Sequence, residues 1–153
     1  MTEPVNALAP GLVLSGTYRI ARVIGRGGMG VVYEASHERL SGRFAVKVLN
    51  REVGSSEGAL VRFRREAEVT SRLRHPNIVQ VVDFASLPDG TPYMVMEFLD
   101  GWDLAEEIRA RGPMPPARVA DLVSQIAAGL EAAHAEGIVH RDLKPANVFV
   151  TPA

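Results

Sequence analysis

The chain contains no cysteine, and this excludes disulfide staples, thiolate metal sites and cysteine nucleophiles. The absence fits a reducing compartment, so the expectation is a cytoplasmic protein. Neither sign of charge is in excess: 17 Lys and Arg stand against 18 Asp and Glu, for a formal net charge of −1. Such a balance gives no global basic field for binding nucleic acid or an anionic membrane. No stretch approaches the ~18 apolar residues that span a bilayer. Met1 to Ala9 lacks the basic flank and long apolar run of a signal peptide. Internal repeats and low-complexity tracts are missing as well. What is there is the composition of one globular domain: 153 residues, 46% hydrophobic and 23% charged.

Met1 to Gly16, with Pro4, Pro10, Gly11 and Gly16, reads as an extended leader. Tyr18 to Ile24 alternates as a strand and leads into Gly25-Arg-Gly-Gly-Met-Gly30. A Gly-x-Gly-x-x-Gly is weak by itself, because dinucleotide-binding folds use the same glycines. There, however, a helix must follow, whereas Val31, Val32 and Tyr33 favour a strand. Arg43 to Leu49 is a third strand, in which Ala45, Lys47 and Leu49 share one face. Ser55 to Glu57 carries helix-start chemistry, and a helix is expected to about Arg74, before His75-Pro76. Ala59, Phe63, Glu66, Thr70 and Leu73 form its expected inner stripe, which places an acid inward, where it needs a cationic partner. Glu68 reads as a solvated charge. Ile78 to Ala85 and Pro92 to Glu97 read as two more strands, joined by a turn at Pro88-Asp89-Gly90. Asp103 to Arg111 reads as a short helix, with Asp103 a candidate N-cap or first-turn acid. Pro115-Pro116 opens a longer helix to about Glu136, closed by Gly137. His37, His75 and His134 read as packed or capping histidines, since no spacing of His, Asp and Glu suggests zinc.

The chemistry is densest in Ile138-Val-His-Arg-Asp-Leu-Lys-Pro-Ala-Asn-Val-Phe149, which reads as strand, loop, strand. Five functional groups, His140, Arg141, Asp142, Lys144 and Asn147, fall within eight residues. The order His-Arg-Asp-Leu-x-x-x-Asn resembles the catalytic loop of protein kinases, and Asp-Leu-Lys-Pro-x-Asn resembles their serine/threonine branch, most closely the bacterial one. The glycine turn between two strands, Ala-Val-Lys on the third strand and Tyr93 to Gly101 in the place of a hinge extend the resemblance over about residues 18 to 150.

The resemblance implies an α+β, protein-kinase-like fold. Its N-lobe, about residues 17–97, would be a five-stranded antiparallel sheet with one helix. A hinge at about 97–101 and the first helices and catalytic loop of a truncated helical C-lobe, 102–153, would follow, with 1–16 as leader. It implies ATP and Mg2+ as cofactors and a protein serine or threonine as acceptor, with no nucleic-acid partner and no membrane segment. By resemblance Ile24, Gly25, Gly27, Gly28 and Gly30 cover the nucleotide, whose phosphates backbone N–H groups approach without Cβ interference. Lys47 holds the phosphates and pairs with Glu66. Val32 and Ala45 sandwich adenine against Phe149, Met96 is the gatekeeper, the backbone of Glu97 and Leu99 meets adenine, and Asp103 meets the ribose. Asp142 takes or orients the hydroxyl proton, Lys144 stabilises the γ-phosphate and Asn147 ligates magnesium. His140 would be a core member and Arg141 a partner for the activation segment.

Two features depart from the family. Phe149 stands where an aliphatic residue is usual. No Asp-Phe-Gly occurs anywhere, which by resemblance removes the principal magnesium ligand. The expectation is a piece of a kinase domain, inactive alone, whose long helix leaves its apolar stripe uncovered. A non-catalytic nucleotide-binding or interaction module, a pseudokinase-like remnant, is the alternative. A small-molecule kinase would more typically carry His-Gly-Asp.

Overall fold

The structure is a computed structural model that describes residues 7–27, 30–54 and 56–152. It divides into two compact units, one formed by residues up to Arg72 with Gln80–Phe98, the other by Leu73–Val79 with Leu99 onward.

The first unit is built on an antiparallel sheet of six strands in the order β1-β2-β3-β4-β6-β5. The strands are β1 (Val13–Leu14), β2 (Tyr18–Arg26), β3 (Gly30–His37), β4 (Arg43–Leu49), β5 (Val81–Ser86) and β6 (Pro92–Glu97). Five strands were expected. The sixth, β1, lies inside the stretch read as leader, where Leu14 is buried and pairs with Tyr18. Two residues are too few to carry a periodic signal. Alternation gives the sheet two apolar faces. One holds Leu14, Tyr18, Ile20, Tyr33, Ala35, Val46, Val48, Tyr93 and Val95. The other holds Leu49, Val81 and Met94 beneath Phe63 and Ala67 of α2. Helix α1 (Arg51–Gly54) precedes α2 (Glu57–Arg72). His37 and His75 cap turns, each Nδ1 accepting backbone N–H groups from residues just downstream.

Burial, together with a 2.9 Å hydrogen bond donated to Asp83 and the charge of that carboxylate, pushes the Tyr18 hydroxyl up to about 12. Because the folded value lies above the unfolded one of about 10, the stabilisation is fully present below pH ~10 and is lost as the pH rises towards ~12. Urea titrations across that window should show falling stability, and Tyr18→Phe should flatten the fall.

The second unit contains β7 (Trp102–Asp103), α3 (Leu104–Arg111), α4 (Pro116–Ala135), a 3₁₀ turn at Pro145–Asn147 and β8 (Phe149–Val150). Strands β7 and β8 pair antiparallel, Trp102 with Val150 and Asp103 with Phe149. Ile138 and Val139, expected as a strand, have no strand partner among the described residues; they leave α4 through its C-cap. Gly137 at φ 75° donates to the His134 carbonyl, and Ile138 to that of Ala133, which completes a Schellman motif. Gly137→Ala forces a Cβ into the left-handed region and should cost about 1 kcal/mol in chemical denaturation. The segment Leu73–Val79 belongs to this unit because Asn77 donates to Gln125 and its carbonyl lies 3.1 Å from where a Cβ on Gly129 of α4 would stand. The apolar side of α4 is open, as the stripe implied: Val119 is 43% and Val123 56% exposed.

Candidate functional site

Four of the expected ligand-facing residues share one face of the six-stranded sheet. Cross-strand register sets Val32 opposite Lys47, Lys47 opposite Met94, and Ala45 opposite Met96. Directly opposed residues project to the same side, so Val32, Ala45, Lys47 and Met96 line the face that also carries Leu49 and Met94. Ala45 is buried, while Lys47, Val32 and Met96 are partly open. The glycine turn is closed by the Gly27 N–H donating to the Gly30 carbonyl at 2.9 Å. Ile24 lies exposed at a β2 irregularity just before Gly25, which pairs with Val32. Gly28 lies outside the described residues. Gly30 has a packing reason of its own: a Cβ there would stand 2.1 Å from the Val48 carbonyl oxygen. Its small size is therefore needed for sheet closure.

The expected Lys47–Glu66 ion pair is not formed: no salt bridge within the described residues includes either side chain. Glu66 is exposed, because the inward line of α2 runs through Ala59, Phe63 and Ala67 at steps of four. Three residues on from Phe63, Glu66 lies about 60° to the side of that line. The Phe63 ring packs on Phe84 of β5, 5.5 Å between centroids, and this fixes the rotation of the helix. Glu68 is solvated, as expected, and pairs with Arg72 at 2.7 Å.

The Glu97 N–H donates to the Gln80 carbonyl and its carboxylate accepts from the Gln80 N–H. Leu99 is half-buried. Asp103 caps α3: its Oδ1 accepts from the Glu106 N–H at 2.8 Å, and Glu106 reaches back to the Asp103 N–H. Its Oδ2 makes no hydrogen bond among the described residues. Asp103 and Phe149 are opposed in register and share one side of the β7–β8 ribbon. On α3, Glu107 is 3% exposed and fully partnered. Trp102 Nε1 donates to its Oε2 at 2.9 Å, and Arg118 donates from Nε and Nη2 to Oε1 at 3.1 and 2.7 Å. The Trp102 bond, then the Arg118 and Arg111 guanidiniums, hold its carboxyl below the usual range against the opposing effect of burial.

The catalytic-loop residues come together within the second unit. Asn147 Nδ2 donates to the Asp142 carbonyl at 2.8 Å and to Asp142 Oδ2 at 3.3 Å. Lys144 Nζ stands 3.5 Å from the same Oδ2. The Asp142 N–H donates to His140 Nδ1. Arg141 takes φ 67°, which turns the chain sharply between His140 and Asp142. The Asn147 amide, committed through its nitrogen, keeps its oxygen for a ligand. His140 was expected as a core member and is instead exposed; its ring works locally as an acceptor. Phe149 is 43% exposed, directly after the turn that carries Asn147.

A two-faced antiparallel sheet with one long helix, and a loop that gathers Asp142, Lys144 and Asn147, define the class. The profile of the protein kinase domain matches residues 18–153, and the chain belongs to the protein kinase family. It is 45% identical over 145 residues to the serine/threonine-protein kinase pkn2 of Myxococcus xanthus, covering 94% of this chain and 17% of that protein. With the serine/threonine-protein kinase PknA of Mycobacterium tuberculosis it shares 43% identity over 146 residues, 93% of this chain and 34% of that one. The PknI kinase domain of Mycobacterium tuberculosis superposes with a TM-score of 0.85 at 37% identity, over 95% of this chain and 60% of that domain. The chain thus spans a minor part of these curated relatives and somewhat over half of that kinase domain. Among the described residues no helix is long and apolar enough to cross a membrane.

Sequence reading missed Glu107, Trp102 and Arg118. The single tryptophan next to Asp103 was the available signal. The eleven-residue separation of Glu107 and Arg118 carries none.

Proposed function

We propose that the reaction this chain's residues serve is ATP-dependent phosphoryl transfer to serine or threonine hydroxyls of proteins. The observation that carries this reading is the convergence of Asp142, Lys144 and Asn147 on one carboxylate oxygen. The acceptor hydroxyl oxygen forms a bond to the γ-phosphorus, the bond from that phosphorus to the β–γ bridging oxygen breaks, ADP leaves, and the proton passes to Asp142. Lys144 offsets charge on the transferring group, and Lys47 does so at the α- and β-phosphates. Val32, Ala45, Met96 and Phe149 bound the adenine, with the Glu97 and Leu99 backbone as its polar contacts and Asp103 at the ribose. Ile24, Gly25, Gly27, Gly28 and Gly30 cover the nucleotide. The Asn147 amide oxygen is a hard oxygen donor and fits Mg2+, which when bound would draw charge from phosphate oxygens. The names of the relatives support the serine/threonine assignment.

A second reading, a nucleotide-binding module without transfer, is favoured by one observation: Lys47 and Glu66 are not paired. Incubation with γ-labelled ATP, Mg2+ and a generic acceptor protein separates the two. Label on serine or threonine supports transfer; Mg·ATP binding without label supports the module; neither result contradicts both.

A further inference from the structure

The Trp102–Glu107–Arg118 cluster joins three elements of the second unit around one buried carboxylate. Trp102 is in β7, Glu107 in α3 and Arg118 in α4. A buried charge is costly unless every oxygen is satisfied, and here both are. Arg111 adds a cation 4.0 Å from Oε1 and stacks over the Trp102 ring at 5.2 Å. The bond from Trp102 fixes the first residue of a two-residue strand. The second residue of that strand is Asp103, which projects to the other side of the ribbon, beside Phe149. Rotation of β7 about its axis would move the Asp103 carboxylate, and the hydrogen bond to Glu107 opposes that rotation. Next to it, the Leu104 N–H donates to the Val148 carbonyl at 2.8 Å, which ties the same ribbon to the exit of the catalytic loop.

We propose that Glu107 is a positioning residue for nucleotide binding: by holding the Trp102 indole N–H at a carboxylate anchored by Arg118, it sets the aim of Asp103 at the ribose hydroxyls. This rests on the assignment of Asp103 to the ribose. Both Glu107 oxygens accept, so Glu107→Gln leaves one donor, Trp102 Nε1 or Arg118, facing an NH2 group. Trp102→Phe removes the same N–H while keeping an aromatic ring, and serves if the glutamine variant does not fold.

The test compares affinities for Mg·ATP and Mg·2′,3′-dideoxy-ATP in the full chain, with Asp103→Ala alongside. The wild type should prefer ATP by about ten-fold, the size of one net hydrogen bond. Glu107→Gln and Trp102→Phe should lose that preference through weaker ATP binding, with dideoxy-ATP affinity unchanged. A merely structural Glu107 would weaken both nucleotides equally, or neither, and either result overturns the inference. If Asp103→Ala loses the preference while Glu107→Gln and Trp102→Phe keep it, the inference falls and the ribose assignment stands. A wild type indifferent to the ribose hydroxyls, or an Asp103→Ala that keeps the preference, overturns the ribose assignment and the inference with it.

Discussion

Asp142→Asn should lower phosphoryl transfer by about 10³-fold, with ATP affinity held within about two-fold of the wild type. Asparagine keeps the shape of the side chain and an oxygen to accept from Asn147 Nδ2, which now bonds Asp142 Oδ2 at 3.3 Å. What it loses is the negative charge, and with it both the proton acceptor and the partner that Lys144 meets at 3.5 Å. Since Lys144 is 55% and Asp142 69% exposed at the side chain, their pairing adds little to folding, and the variant should unfold as the wild type does. The effect therefore belongs in kcat. A rise in KM with kcat preserved would place Asp142 in binding and contradict its role.

The largest stability effect is expected at Gly101. It sits at φ 151°, and an added Cβ would stand 2.0 Å from the Val150 carbonyl oxygen and 3.1 Å from the Phe149 ring. Neither contact is the free end of a flexible chain: one is backbone, the other the ring paired beside Asp103. Gly101→Ala must therefore separate β7 from β8, and should cost about 3 kcal/mol in urea unfolding, combining overpacking with backbone strain. Because the same ribbon carries Asp103 and Phe149, ATP affinity should fall as well. Gly58→Ala is the control: a Cβ there meets nothing within 4 Å, so alanine in that helix should be neutral or stabilise by up to about 1 kcal/mol.

Long apolar alternation was legible: β2, β4 and β6 lie where the pattern of Tyr18 to Ile24, Arg43 to Leu49 and Pro92 to Glu97 places them. Helix ends followed local chemistry, Asp103 as a cap and Gly137 as the left-handed residue. Short strands were not legible. Val13–Leu14 is a strand only because Tyr18–Arg19 returns beside it, and Ile138–Val139 is not one because nothing among the described residues pairs with it. Glu66 shows a different limit. Steps of three and four both describe an amphipathic stripe, and only the packing of Phe63 on Phe84 selects the line through Ala67. Glu107 beside Glu106 in an eight-residue helix reads as a solvated acid, and its burial depends on an arginine from another helix. In the loop from His140 to Asn147 the clustering of polar groups was legible, since they act on one another within a few residues, but the exposure of His140 was not.

The most direct test of the account is calorimetric titration of Mg·ATP into the wild type and Lys47→Met. Lys47 is half-buried on the sheet face with Val32, Ala45 and Met96 and makes no ion pair among the described residues, so its charge is available to a phosphate. The wild type should bind with a Kd on the order of 10–100 μM, and Lys47→Met should weaken binding at least about ten-fold through loss of a charge-assisted hydrogen bond. A wild type that binds no Mg·ATP, or a Lys47→Met variant that binds it equally well, would contradict the account.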